Sequence, residues 1–324
     1  MSTKRNKLLL GLGAAAVAAG AAMWLSGGPK NCPKMQKQQG QLGQLAAVRP
    51  GAGPITLVDR KVAVPLQLVE RHSLTHDTDR FRFALPSPDH IVGLPTGQHV
   101  HLQTSPDKNG KKLVRVYTPV SSDADKGIMD VVIKLYRPNE AFPDGGKMSK
   151  VLDALKPGDT MDVRGPTGRF FYQGNGRLGF KTEKWMTEPD KFHDVKKIVM
   201  IAGGSGVTPM LQLIKHVLAD PADGTQLELL FANKSEEDIM LRDQLEELAA
   251  KHPKQLKIWY TVDKAPAGWK YSEGFISADM IKDHLSPPAE DTFVFICGPK
   301  PMIKHACMPS LANLGYPKER IHVF

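Results

Sequence analysis

Cysteine is scarce in this chain: 324 residues carry three, Cys32, Cys297 and Cys307, scattered along its length. Disulfide frameworks and tetrahedral zinc sites need more cysteines at closer spacing, so neither is expected and a reducing compartment fits. There is no internal repeat, and the 29 glycines follow no triplet period, which removes collagen. Uncharged apolar stretches long enough to span a bilayer are limited to one, so a polytopic membrane protein is also excluded. Acidic residues are wholly missing from residues 1–50.

What is present is the composition of a globular protein, 41% hydrophobic and 24% charged, with length for about two domains. The formal charge of +9 would by itself point to nucleic acid or an acidic membrane. Its distribution argues otherwise. Lys4, Arg5, Lys7, Lys30, Lys34, Lys37 and Arg49 put seven positive charges in the first 50 residues, whereas the other 274 carry 36 basic and 34 acidic side chains. No nucleic-acid partner is expected.

Residues 8–25 (LLLGLGAAAVAAGAAMWL) form an uncharged run of 18, just able as a helix to cross a hydrocarbon core of about 30 Å. A cleaved signal peptide and a mitochondrial targeting segment share its basic start. A retained membrane anchor over residues 1–28 is the preferred reading, because the motifs below belong in a reducing compartment. Basic residues flank the run evenly, so its orientation stays open. Residues 29–53 are polar and Gly-rich, a flexible tether. Cys32 within it reads as an ordinary thiol, with palmitoylation as the alternative.

From residue 54 to 183, short apolar runs such as RFRFALPSPDH, GQHVHLQT, KKLVRVYTPV and MDVVIKLY alternate with Pro, Gly, Asn and Asp turns. That spacing predicts an antiparallel barrel or sandwich, interrupted by one helix at 148–155. From 184 to 324, the strands KKIVMIAGG, QLELLFAN, LKIWYTVD and TFVFICGP alternate with helices PMLQLIKHVLAD, SEEDIMLRDQLEELAAKH, 278–284 and one from Pro301. This alternation predicts an α/β doubly wound parallel sheet.

Four motifs carry chemistry. Gly203 to Pro209 (GGSGVTP) lies between a buried strand and a helix, where glycines admit a phosphate to free N–H groups and the positive dipole end. Thr208 suits the N-cap and Pro209 the first helical turn, although the third glycine of the dinucleotide fingerprint is missing. In Arg115-Val116-Tyr117-Thr118, residues two apart share a strand face, so a guanidinium able to grip a diphosphate lies beside a phenol. By itself this is also the pattern of an ordinary amphipathic strand. Gly145-Gly146-Lys147-Met148-Ser149 opens the one helix of the first half, another anion-binding start or a plain cap. Cys297-Gly298-Pro299-Lys300-Pro301-Met302 follows a buried strand at the carboxyl edge of the sheet, where ligands bind. There Cys297 is an active-site thiol or a structural cysteine.

Together, in this order and spacing, these motifs resemble those of the ferredoxin-reductase-like flavoenzymes, and among them the NADH-cytochrome b5 reductases. The resemblance runs over residues 55–324 and includes FRFALPSP, GLPTGQH, VIKLY, GGKMS, RGPTG, AGGSGVTPML, LLFAN, KIWYTVDKAP, CGPKPM and the final Val323-Phe324. It implies a FAD-binding barrel, a NAD-binding α/β domain, and cytochrome b5 as electron acceptor. FAD would take its diphosphate from Arg115, Gly146, Lys147, Met148 and Ser149. Val116, Tyr117, Val132, Lys134 and Tyr136 would line its ring, with Thr118 at flavin N5 and Thr208 reaching it from the other domain. NADH would lie over Gly204, Gly206, Thr208 and Pro209 and over Cys297, Gly298, Pro299 and Met302. The resemblance makes Thr118, His99 and Cys297 the catalytic group, with His99 relaying a proton to Thr118 or serving only as a strand histidine.

Two positions depart from the family pattern: Val116 stands where Pro is usual, and Arg137 where an aromatic is usual, so Arg137 is not assigned to the flavin. Asp263 matches the acid that accepts hydrogen bonds from the adenosine ribose and would repel a 2′-phosphate, which implies NADH rather than NADPH. No metal is expected, His99-x-His101 offering only two ligands. The 54–183 half carries the basic excess, and Lys147 is a candidate contact for an acidic haem protein. Residence in the endoplasmic reticulum or mitochondrial outer membrane, a cytosol-facing catalytic part and a monomeric state complete the expectation. Another acceptor (a quinone, a ferric chelate or a desaturase chain) or a non-catalytic nucleotide-binding role are the alternatives.

Overall fold

The computed structural model describes residues 53–140, 142–183 and 186–324. The expected anchor, Cys32 and all of the tether but residue 53 lie outside the described residues. Among those described, no helix is long and apolar enough to cross a membrane.

In the first half, β1 (Val64–Thr75), β2 (Thr78–Ala84), β3 (His99–Gln103), β4 (Val114–Tyr117), β5 (Ile128–Lys134) and β6 (Thr160–Thr167) form an antiparallel sheet, ordered β4-β3-β6-β1-β2-β5. Its two edges meet just past β4, where the Val120 N–H donates to the Asp130 carbonyl at 2.9 Å, so the sheet curls as a barrel does. Alternation sets which face is inside: in β2, Phe81 and Phe83 are fully buried, as Leu66 and Leu68 are in β1. α1 (Lys147–Ala154) closes one end of this core with Met148 and Leu152, one turn apart on its inner face. The chain enters α1 through Gly145 at φ +59°, where a Cβ would crowd the Tyr136 carbonyl. The expected helix at 148–155 is thus present, one residue earlier.

β7 (Phe170–Tyr172), β8 (Arg177–Phe180) and β9 (Lys191–Asp194) make a small antiparallel sheet that straddles the expected boundary at residue 184. The second half is a parallel sheet of β10 (Lys197–Gly203), β11 (Gln226–Asn233), β12 (Leu256–Val262), β13 (Ser272–Glu273), β14 (Thr292–Cys297) and β15 (Ile321–Val323), ordered β13-β12-β11-β10-β14-β15. Its central strands are buried on both faces, which is why they read as continuous apolar runs. Helices α2 (Val207–Ala219), α3 (Arg242–Lys251) and α4 (Ala278–His284) connect them. α5 (Lys300–Met302) continues through a π-helical turn, Ile303–Cys307, into α6 (Met308–Asn313).

One apolar core runs through both halves. Met210 and Ile214 of α2 and Phe231 of β11 belong to the same cluster as Val120, Val132, Phe170 and Tyr172 of the antiparallel part. Burial of side chains this size stabilises by about 1.5–3 kcal/mol each. Polar contacts fix the angle: Gln212 accepts from the Gly97 N–H at 2.8 Å and donates to the Gln98 carbonyl at 3.2 Å, and Lys215 donates to the Val120 carbonyl at 2.7 Å.

Two local expectations change. The helix expected over 235–252 is broken: a 3-10 turn, Glu236–Asp238, is followed by Leu241 in the left-handed region (φ +61°) before α3 begins. Asp238 caps Ser235, accepting from its N–H at 3.1 Å and its hydroxyl at 2.9 Å, and also binds Lys134, so a tertiary ion pair outweighs local helix propensity. Thr208 is not an N-cap. A 3-10 turn, Gly204–Gly206, precedes α2, and the Thr208 hydroxyl donates back to the Ser205 carbonyl at 3.2 Å.

Candidate active site

The strand order reverses at β10, which has β11 on one side and β14 on the other. The connections leaving Gly203 and Cys297 therefore diverge and open a crevice at the carboxyl edge, the place where doubly wound sheets bind ligands. The antiparallel half faces this edge, and the space between them is a cleft of about 1900 Å³. Every residue that the resemblance assigns to FAD or NADH lines it, from Arg115, Tyr117 and Thr118 to Asp263, Cys297 and Met302.

On the antiparallel side, Arg115 is exposed and, among the described residues, its guanidinium donates only to the Val114 carbonyl, at 2.8 Å, leaving most of it for an anion. Burial pushes the Tyr117 phenol up to about 12, so it stays protonated. Val116 is half exposed at the rim. Val132 is buried at the cleft wall, and Tyr136 is exposed beside it. At the start of α1 the N–H groups of Lys147, Met148 and Ser149 have no intrahelical acceptor, as in the first turn of any helix. Gly146 gives its own N–H to the Tyr136 carbonyl at 2.7 Å, and Ser149 accepts from the Tyr136 N–H at 3.0 Å, so the helix start is tied to the end of β5.

On the parallel side, the glycine turn and the Cys297 loop touch. A Cβ on Gly206 would collide with the Cys297 carbonyl, and one on Gly203 or Gly298 would meet Met302. These glycines permit close backbone approach, which keeps the two ligand-facing loops together. Pro209 and Thr208 are buried in the first turn of α2, and Pro299 precedes α5. Burial pushes the Cys297 thiol up to about 11, so it is a neutral SH group at physiological pH. Asp263 follows β12 and anchors its N–H to the Asn233 carbonyl at 3.0 Å. Burial raises its carboxyl pKa, with Lys234 acting in the opposite direction.

His99 lies at the start of β3, its ring edge-on to His101 at 5.8 Å. Burial, and after it the neighbouring His101 and Lys181 charges, lower its pKa to about 4, so the imidazole is neutral. His99 and Thr118 share the cleft without a hydrogen bond between them. Lys134 is held firmly: its ammonium bonds Asp238 at 2.8 Å and Asp77 at 2.9 Å, tying β5 to the loop after β11. Burial opposes the effect, but bonds from Lys134 and Ser235 hold the Asp238 carboxyl below its ordinary value. His76 joins these two acids, and the Lys134 ammonium already stands between them as the cation.

Several lining residues escaped the sequence reading. Arg60, Arg169 and Lys181 come from segments without a motif, and Phe275, 78% exposed, stands at the cleft wall beyond β13. Phe324 reaches the cleft because β15 pairs in parallel with β14, and its ring stacks on Phe295 at 5.7 Å. Only the terminal Val-Phe pair hinted at it. Arg137 also lines the cleft, but its guanidinium is committed to Asp153 at 3.0 and 3.1 Å and to the His76 carbonyl at 3.1 Å.

The donor set suits a flavin and a nicotinamide dinucleotide: a guanidinium and a helix start for one diphosphate, a glycine turn for the other, and a long apolar-walled space between them. Comparison with known proteins agrees. Residues 65–172 match the oxidoreductase FAD-binding domain model and residues 200–308 the oxidoreductase NAD-binding domain model. NADH-cytochrome b5 reductase 2 of Gallus gallus is 52% identical over 275 residues, 84% of this chain and 89% of that protein. The Homo sapiens protein of the same name is 49% identical over 278 residues, 84% of this chain and 98% of that one. The cytochrome b5 reductase domain of Ulva prolifera nitrate reductase superposes with a TM-score of 0.76 at 40% identity, covering 84% of this chain and 99% of that domain. Barrel, doubly wound sheet, cleft and sequence thus converge, and this chain belongs to the NADH-cytochrome b5 reductase family of FAD- and NAD-binding oxidoreductases.

Proposed function

We propose that this protein takes a hydride from NADH and delivers electrons singly to cytochrome b5. The observation that carries this reading is the one cleft that gathers both anion-gripping ends of the antiparallel half and both loops of the switch point. Bound there, FAD supplies the conversion between a two-electron donor and a one-electron acceptor.

The chain's own residues do the holding. Arg115, with Gly146 and the N–H groups of Lys147, Met148 and Ser149, takes the FAD diphosphate. Tyr117 would lie against the flavin ring, Val116, Val132, Lys134 and Tyr136 would bound it, and Thr118 would offer a hydrogen bond at flavin N5. His99, neutral in the same cleft, is the candidate for exchanging a proton with Thr118. Thr208, Gly204, Gly206 and Pro209 hold NADH from one side, and Cys297, Gly298, Pro299 and Met302 from the other. Cys297 acts there as a neutral, polarisable contact, not as a nucleophile. Asp263 receives the adenosine ribose hydroxyls.

The functional domains are read as residues 54–183 and 184–324. Residues 8–25 hold a monomeric protein on the endoplasmic reticulum or mitochondrial outer membrane with the catalytic part in the cytosol. Lys147 contributes to docking the acidic acceptor. The purified protein should be yellow, bleach when NADH is added without oxygen, and reduce cytochrome b5. A colourless preparation that also fails to bind added FAD would sink this reading.

A further inference from the structure

Lys181 stands just beyond β8 with only 7% of its surface exposed, and it lines the cleft beside His99, Arg60 and Arg169. Its backbone N–H donates to the Arg169 carbonyl at 2.8 Å, and its ammonium sits 5.0 Å from the centre of the Phe171 ring. Among the described residues that ammonium has no carboxylate within ion-pair distance and no hydrogen-bond acceptor. A cation on a largely buried side chain is normally paired, because even partial desolvation penalises its charge. Here the neighbours add to the penalty: burial first, then the charges of Arg60 and Arg169, lower the Lys181 pKa, and Glu188 offsets this only in part. Arg169 is itself positioned, its guanidinium donating to the Thr182 carbonyl at 2.7 Å.

We propose that Lys181 and Arg169 form an oxyanion subsite at the β3 and β8 side of the cleft, with the positive charge of Arg60 nearby, taking one carboxylate or phosphate group. This group is separate from Arg115 and the start of α1, which serve the cofactor diphosphate in the reading above. The oxyanion comes either from a free small anion or from a carboxylate presented by the electron-accepting protein. Only the second source rests on the proposed electron-transfer function.

The test titrates the FAD-loaded protein with inorganic phosphate at constant ionic strength and follows the thermal unfolding midpoint. A saturable rise in the wild type that disappears in Lys181→Gln and survives in Lys181→Arg identifies a site for free oxyanions. In parallel, KM for cytochrome b5 about tenfold higher in Lys181→Gln, at unchanged kcat, identifies an acceptor carboxylate as the ligand, since one charge-assisted hydrogen bond is lost. Ferricyanide reduction with unchanged kcat, and equal flavin content, show that the variant is intact. Arg169→Gln, at an exposed position, supplies the same comparison if Lys181→Gln loses flavin. Identical phosphate responses in the wild type and both glutamine variants, together with cytochrome KM values within about twofold, overturn the subsite. The phosphate arm needs no turnover, so it decides the point even if cytochrome b5 is not the acceptor.

Discussion

At the scale of single residues, chemistry at the cleft follows from burial more than from identity. If Asp263 selects NADH by charge, as proposed, Asp263→Thr should raise kcat/KM for NADPH by about tenfold or more while lowering it for NADH, measured on the purified enzyme. Because burial raises the Asp263 pKa, the NADH preference of the wild type should also weaken as pH falls, at higher pH than an exposed aspartate would show. Cys297 is a different case. With its thiol pushed up to about 11, alkylation at neutral pH should be slow and should accelerate steeply towards that value, read by mass spectrometry of the modified chain. The sequence placed both residues correctly at strand ends. What it could not supply was their ionisation, because desolvation depends on neighbours that arrive from far along the chain.

At the scale of elements, α2 is the hinge pin between the halves, packing its apolar face on β10 and β11 and reaching across with Gln212 and Lys215. Gln212→Ala removes two buried hydrogen bonds and should destabilise the protein by roughly 1–3 kcal/mol, read from denaturant midpoints. Apolar periodicity made α2, α4 and the central strands legible. It misled over 235–252, where the pattern is helical but Asp238 is drawn to Lys134 and Leu241 turns left-handed. β9, β13 and β15 carried no readable signal, because strands of two to four residues are too short for a period and exist only through their pairing partners.

For the whole molecule, pH and salt report on the cleft as a unit. His99 and His322 both have pKa values lowered to about 4, chiefly by burial. Between about 4 and the ordinary histidine value the unfolded chain binds protons that the folded one does not, so stability should rise with pH across that window. Below it the gain is lost. Denaturant midpoints measured from pH 4 to 7 should climb accordingly, and His322→Phe should flatten the slope; a slope unchanged in that variant would contradict the assignment. Residues 51–183 carry 19 basic and 15 acidic side chains, residues 184–324 17 and 19. Added salt should therefore slow cytochrome b5 reduction more than ferricyanide reduction, and equal sensitivity would remove the basis for a docking face.

The +9 charge, the two textures and the four motifs were all present in the linear sequence, and so was the family, because turn chemistry and strand-to-helix junctions are local. The cleft was not. It exists because β10 splits the strand order and because one apolar core clamps the antiparallel sheet over the split. Only that packing turned Lys134 into a bridge between the halves, kept His99 neutral, and left Lys181 largely buried with no carboxylate within ion-pair distance among the described residues. Each of these depends on residues distant in sequence meeting in a low-dielectric space, which no local pattern specifies.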